Sequence, residues 1–383
     1  MTARDVVFTF TFETWSDAVA RGMARPPDRL ALTLMHHPRV RRLVVANPPR
    51  NAVKRAARVT LRRDAAFPSG GQNWLASPVR LGPIDPTTVD GLQRQGAAYD
   101  GALRRTARRR GLESPVVITA SPFAAGYAPF RWAGGATYYA RDDWSELPSR
   151  EAWWPVIREG YRRIRSSGMP VVAVSQAIID RIEPTGPALV VPNGVEPEEW
   201  AGPVPDAPDW FAAIPRPRAL YVGTLDSRLD VEGLRVLARE RPDLHIALLG
   251  VVGDREAVAP LEDVPTIHLL PPTDRAGLVA AIRTSDVCLV SHVRTRLTAA
   301  MSPLKIYEYL AGGAPVLSVD LPPVRGMGER VLLAETTAGF ADRIDEALAL
   351  GPQTEAERLA FVHRNAWRRH HDDILDFAFG GAA

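Results

Sequence analysis

The stretch best equipped for chemistry is MSPLKIYEYLAGGAPVLSVD, residues 301–320. Ser302 is a favoured N-cap type, Pro303 suits the first helical position, and Gly312-Gly313 ends a helix. The pattern predicts a short helix followed by the strand VLSV. The first turn of a helix carries backbone N–H groups without intrahelical partners and the positive end of the dipole, so it attracts anions. Lys305 adds a point charge in that turn, and Glu308 shares its face at i,i+3 spacing. Amides and an ammonium suit a diphosphate. A carboxylate suits ribose hydroxyls, the use acidic residues serve in dinucleotide-binding folds. The same residues also fit a plain surface helix with a Lys–Glu pair worth roughly a few tenths of a kcal/mol.

Other residues of suitable type are scattered along the chain. Arg228, in the turn GTLDSRLD, is a second phosphate candidate because a guanidinium can grip phosphate with two hydrogen bonds. Asp226 and Asp230 beside it offer a salt bridge as the competing role. Gly223 and Thr224 in the same turn, with Ser302 and Leu304 at the helix start, are the further candidates for holding a nucleotide. In the first half, Arg21, Gly22 and Arg25 follow the first strand-like run, where open sheets bind ligands. Asp142 and Asp143 are placed to orient or deprotonate a hydroxyl, or to shape a turn. His292 follows the apolar run DVCLV. Cys288, the one cysteine, lies inside that run and reads as a buried inert thiol, so neither a disulfide nor a cysteine-based zinc site is expected. His363, His370 and His371 sit in an amphipathic terminal stretch. Neighbours 370 and 371 point in different directions on a helix, which favours an exposed polar face over a metal site.

Short apolar runs alternating with helical stretches must position these groups. Runs at 6–12, 43–46, 116–119, 136–140, 171–174 and 189–191 form one series, and runs at 220–222, 246–249, 267–269, 287–290, 316–319 and 331–333 form another. They are continuously apolar, as strands covered on both faces are, and their connections allow crossover helices. Parallel sheets of an α/β fold follow. Between the series lies the Pro-, Gly- and acid-rich segment 192–218, which reads as a boundary. The expected organisation is an N-terminal Rossmann-like domain over 1–195, a second over 218–352, and a terminal helical segment over 353–383 that crosses back to the first domain.

Taken together, several motifs resemble GT-B glycosyltransferases, in particular the family 4-like group and teichuronic-acid-type sugar transferases. SPLKIYEYLAGGAPV is similar to their donor-binding signature. VVAVSQAIID and VVPNGVEPEEW resemble the end of the N-terminal domain, LYVGTLDSRLDVEGL the start of the donor domain, LLPPTDRAGLVAAIRTSDVCLVS the nucleotide-facing segment, and YYARDDW an acceptor-side segment. The likeness covers most of 170–320. It implies two doubly wound Rossmann-like domains facing a cleft, an unknown hydroxyl acceptor (a glycan, lipid-linked glycan or small molecule) held by the first, and a nucleoside-diphosphate sugar held by the second. Glu308 matches the second glutamate of the E-x7-E motif, which holds the ribose. The first falls on Ala300, a departure that leaves the donor-sugar contacts open. Glu232 and Gly233 stand where a lysine-glycine pair is usual, so Lys305 is expected to supply that cation. The resemblance implies transfer with retention; no cofactor is expected, and without a D-x-D motif no metal.

Composition limits the alternatives. The chain has 383 residues, no run of about 18 apolar residues and no leader-like start, so a cytoplasmic protein is expected. Basic residues are 45 Arg and 2 Lys, Lys54 and Lys305. Residues 1–110 hold 20 Lys+Arg against 8 Asp+Glu, a local excess suited to anionic lipid or a phosphorylated substrate. Nucleic acid is the weaker reading of LRRTARRRG, which has no aromatic platform beside it. A sugar-nucleotide epimerase of the same architecture and a non-catalytic sugar-nucleotide-binding protein are the competing functions. The first requires acid/base carboxylates in place of an acceptor site; the second is kept open by Ala300.

Overall fold

A computed structural model describes residues 3–52, 64–80 and 82–380. Lys54 lies outside the described residues. The chain divides into two compact units, one of Met1–Pro192 with His370–Ala383, the other of Asn193–Arg369.

The first unit is built on strands β1 (Arg4–Thr9), β2 (Val40–Ala46), β4 (Asn73–Ala76), β6 (Val116–Thr119), β7 (Gly135–Ala140), β8 (Val171–Ala173) and β9 (Ala188–Val190). They form one sheet in the order β4-β2-β1-β6-β7-β8-β9. Every pairing in it is parallel. Short β3 (Arg50–Asn51) and β5 (Val79–Arg80) pair separately. Val6, Val7 and Phe8 are fully buried, which explains the unbroken apolar run of the central strand. The expected strand 6–12 ends earlier, at Thr9, where its hydroxyl meets that of Thr119 at 2.6 Å. The returning C-terminal segment is tied down by polar contacts: Thr33 Oγ1 to His371 Nδ1 at 2.6 Å, His37 Nε2 to Asp372 at 2.7 Å, and Arg39 to Asp376. His370 and His371 are therefore buried, correcting their expected place on an exposed face.

The second unit carries β10 (Arg218–Val222), β11 (His245–Leu249), β12 (Ile267–Leu270), β13 (Val287–Val290), β14 (Val316–Val319) and β15 (Val331–Ala334). Their order is β12-β11-β10-β13-β14-β15, again all parallel. Successive residues of β10 enter different cores, Leu220 one face and Ala219 and Tyr221 the other. Cys288 is fully buried, and burial pushes its thiol up to about 12, so it stays protonated and unreactive. In this order the chain moves outward from β10 and then returns to place β13 beside it. Such a reversal opens a crevice beyond the C-terminal ends of β10 and β13. In the first unit the reversal falls between β1 and β6.

Candidate functional site

In the second unit the crevice begins where β10 and β11 end in glycines. Gly223 has φ +143° and Gly250 φ +155°, conformations that side chains rarely tolerate. A Cβ on Gly250 would lie 2.0 Å from the Gly223 carbonyl oxygen, so the two loops run backbone against backbone. A Cβ on Gly223 would lie 3.0 Å from Lys305 Nζ. The missing side chain is what lets the lysine reach the strand end.

Lys305 Nζ sits 3.2 Å from His292 Nε2 and 3.6 Å from the centre of the Tyr221 ring. Among the described residues no carboxylate lies within ion-pair distance of it. Burial pushes this ammonium well below the ordinary lysine range, and Arg228 pushes the same way, while Asp226 and Glu308 only partly offset them. Burial, then Lys305 and Arg228, likewise hold the His292 imidazole neutral. His292 Nδ1 finds no hydrogen-bond partner among the described residues. A half-buried cation with no carboxylate beside it among the described residues is a site that an anion would complete.

The helix that carries Lys305 spans Leu304–Gly312, and Gly313 ends it in the left-handed conformation. Its N-cap is Pro303, not Ser302, and no side chain caps it. Proline fixes φ and has no N–H, so it takes the flanking position and shifts the start one residue later. Ser302 is buried; its Oγ faces the Asn193 amide at 3.5 Å, and its carbonyl accepts from Asn193 Nδ2 at 2.6 Å. Leu304 opens the helix, half-buried. Glu308 is buried one turn on, but its partner is not Lys305. Arg275 Nη1 donates to its Oε1 at 2.5 Å, and the same guanidinium reaches Glu199 at 2.6 and 2.8 Å. Ala300 closes the short helix Arg296–Ala300 and is buried.

Arg228 adopts its competing role: it grips Asp226 through two bonds of 2.9 and 2.7 Å. The carboxylate neutralises much of its charge, so Lys305 is the more available cation. Thr224 packs at the Gly253 loop.

In the first unit the sequence candidates are held by their own neighbours. Arg21 makes a two-bond pair with fully buried Asp28, at 2.8 and 2.6 Å. Gly22 is an exposed turn residue with positive φ. Arg25 pairs with Glu13 at 2.6 Å. Asp143 is buried, accepting from the Ser145 hydroxyl at 2.6 Å and from Arg181 at 3.0 Å, which makes it a turn-forming group. Asp142 lies 3.2 Å from Arg141. A residue missed in the sequence, Arg150, stands out here. Its guanidinium stacks 4.1 Å from the centre of the Phe12 ring and makes no hydrogen bond or ion pair among the described residues. Burial lowers its pKa from the ordinary arginine value, and Glu13 and Asp85 pull it only partly back. Phe12 and Asp85 line a narrow cleft with Thr11, Ser121 and Phe123, at the reversal of this sheet. No local motif marks Arg150. Arg275 and Glu199 were missed too, although Arg275 stands one residue after the helix-capping Asp274 in the segment already singled out.

Among the described residues no group of three metal-ligating side chains converges, and no helix is long and apolar enough to cross a membrane. No protein-family model and no curated protein sequence matches the chain. Solved structures do. Trehalose 6-phosphate synthase from Burkholderia multivorans aligns with 100% of this chain and 99% of its own at TM-score 0.70 and 14% identity. The fold is GT-B. Sucrose-phosphate synthase from Thermosynechococcus elongatus aligns over 99% of this chain and 100% of its own (TM-score 0.67, 14% identity). Anabaena HepE, solved with UDP and glucose, aligns over 97% and 98% (TM-score 0.60, 15% identity). The likeness is one of GT-B architecture.

Proposed function

We propose that this chain is a glycosyltransferase that takes a sugar from a nucleoside-diphosphate donor bound at the β10/β13 crevice. One observation carries the reading: Lys305, a half-buried ammonium with no carboxylate partner among the described residues, sits at an uncapped helix N-terminus against Gly223. Glycosyl transfer leaves a diphosphate whose charge grows as the anomeric bond breaks. Lys305 and the free amides of the Leu304–Gly312 helix are fixed in advance where that charge develops, the arrangement that stabilises transition states most effectively. Gly223 and Thr224 give the diphosphate access to the strand end, and Glu308 accepts from ribose hydroxyls. Arg228 is secondary while Asp226 holds it. This cation set supports departure of the diphosphate without a metal. Retention of configuration and membership of the family 4-like group rest on the motif resemblance.

The neighbour solved with UDP makes uridine diphosphate sugars the first donors to try. On the acceptor side, Arg150 replaces the tied Asp142, Asp143, Arg21 and Arg25 as the group free to meet a ligand. The chain also bears a surface suited to anionic lipid. Helix Val89–Arg109 buries Leu92, Tyr99, Leu103 and Ala107 and exposes Arg94, Arg104, Arg105, Arg108 and Arg109, none of them ion-paired among the described residues. Sedimentation with anionic vesicles at low salt, absent with neutral vesicles, is the expected result; equal sedimentation with both removes the idea. The function itself is tested by thermal stabilisation with a panel of nucleoside diphosphates, followed by transfer assays with the matching sugar nucleotides. A diphosphate that stabilises the wild type, and loses its effect in Lys305→Ala and Glu308→Ala, supports the site. No stabilisation by any of them removes it.

A further inference from the structure

We infer that Arg275 is a positioning residue that sets how the chain distinguishes ribose from deoxyribose in its nucleotide. The inference rests on the donor site proposed above. Three segments distant in sequence converge on one guanidinium. Arg275 opens the helix Arg275–Arg283, Glu199 comes from the turn Pro197–Trp200, and Glu308 from the helix Leu304–Gly312. The guanidinium Nε and Nη2 both reach Glu199 Oε2, at 2.8 and 2.6 Å, and Nη1 reaches Glu308 Oε1 at 2.5 Å. Its face lies 5.5 Å from the centre of the Trp200 ring.

The arrangement has a direct chemical consequence. Glu199 and the Trp200 ring fix the guanidinium plane, and Nη1 fixes the carboxylate of Glu308. A carboxylate held through one oxygen keeps the second in a defined direction for a pair of vicinal hydroxyls. Without Arg275, a buried Glu308 would be left to attract Lys305, on which its charge already acts. Drawing that ammonium toward the carboxylate would take it from the diphosphate. Arg275 thus divides the labour, one cation for Glu308 and another for the phosphates.

Ribose recognition has a readout that a merely structural role would not move. The whole chain is titrated with UDP, GDP and ADP, and the best binder is compared with its 2′-deoxy form. The wild type is expected to prefer the ribonucleotide by about tenfold or more, the worth of one hydrogen bond to a charged group. Glu308→Gln and Arg275→Gln should both bring the ratio close to one, while Arg275→Lys, which keeps charge but loses the fork, retains part of it. Melting of each variant without ligand shows whether it is folded, and Glu199→Gln, with both other partners in place, should lower the ratio more mildly. A ratio lost in Glu308→Gln but intact in Arg275→Gln and Glu199→Gln overturns the positioning role alone. A ratio unchanged in Glu308→Gln overturns the ribose contact and with it this inference, while no binding of UDP, GDP or ADP to the wild type removes the donor reading on which it rests. Equal weakening of both nucleotides in Arg275→Gln also overturns the proposal.

Discussion

The two sheet reversals use charge in opposite ways. Around the first, between β1 and β6, Arg21 and Arg25 are paired with carboxylates and Arg141 lies near two, and Arg150 alone among these is left over. Around the second, between β10 and β13, a single lysine faces a histidine and a tyrosine ring with no carboxylate within ion-pair distance among the described residues. Residues 1–110 hold the large basic excess, yet the second unit holds the more demanding cation. Availability of charge, not its amount, separates a binding site from a braced loop.

Gly250→Val sets a side chain against the Gly223 carbonyl, which cannot yield without moving β10. Loss of about 3 kcal/mol or more is expected, the range of severe overpacking combined with backbone strain. Chemical denaturation measures it, and a loss under about 1 kcal/mol would mean that the loops have other room. The second effect contrasts two arginines. Arg21→Ala removes both guanidinium bonds from the buried Asp28 carboxylate, leaves it the Arg25 backbone N–H, and should cost about 2 kcal/mol. Arg150→Gln breaks no ion pair among the described residues and loses only its stacking on Phe12, so stability should fall by about 1 kcal/mol at most while acceptor-dependent turnover falls. Equal stability losses in both would erase the distinction drawn between braced and available arginines.

The smallest effect is in pH. Lys305 is depressed in the folded chain, so the folded state holds fewer protons than the unfolded one as pH rises from the folded value toward the ordinary lysine value. Unliganded stability attributable to this group therefore rises with pH through that window. An anion restores the charge, so binding takes up a proton and affinity falls with rising pH, by at most about tenfold per unit for one proton. Calorimetry in buffers of different ionisation enthalpy should show the uptake in the wild type and not in Lys305→Met. Uptake persisting in the variant would assign the proton elsewhere.

Much of the fold was legible because buried parallel strands announce themselves as unbroken apolar runs; VVF, VCLV and VLSV all appear in the sheets. Strand β4, with Asn73 at its edge and a half-buried Trp74, gives no such run and was missed. The site was legible where its parts are local. Lys305, Glu308 and the helix start lie within a few residues, and the rarity of lysine drew attention to one of them. The start itself was misplaced by one residue, since a Ser-Pro pair offers two possible caps. What the sequence hid is pairing across distance. Arg275 lies 33 residues from Glu308 and 76 from Glu199, and nothing in either segment marks the partner. Asp143 had the right type for a base, and only packing shows it spent on Ser145 and Arg181.

Lys305 is proposed to hold a diphosphate. Titration calorimetry of UDP, GDP and ADP against the wild type and Lys305→Met tests it most directly. At least one diphosphate should bind the wild type, and the variant, still folded, should bind it about 30-fold or more weakly, as loss of a charge-assisted contact to phosphate requires. Full-strength binding to folded Lys305→Met, or no binding to the wild type by any of the three, would contradict the account.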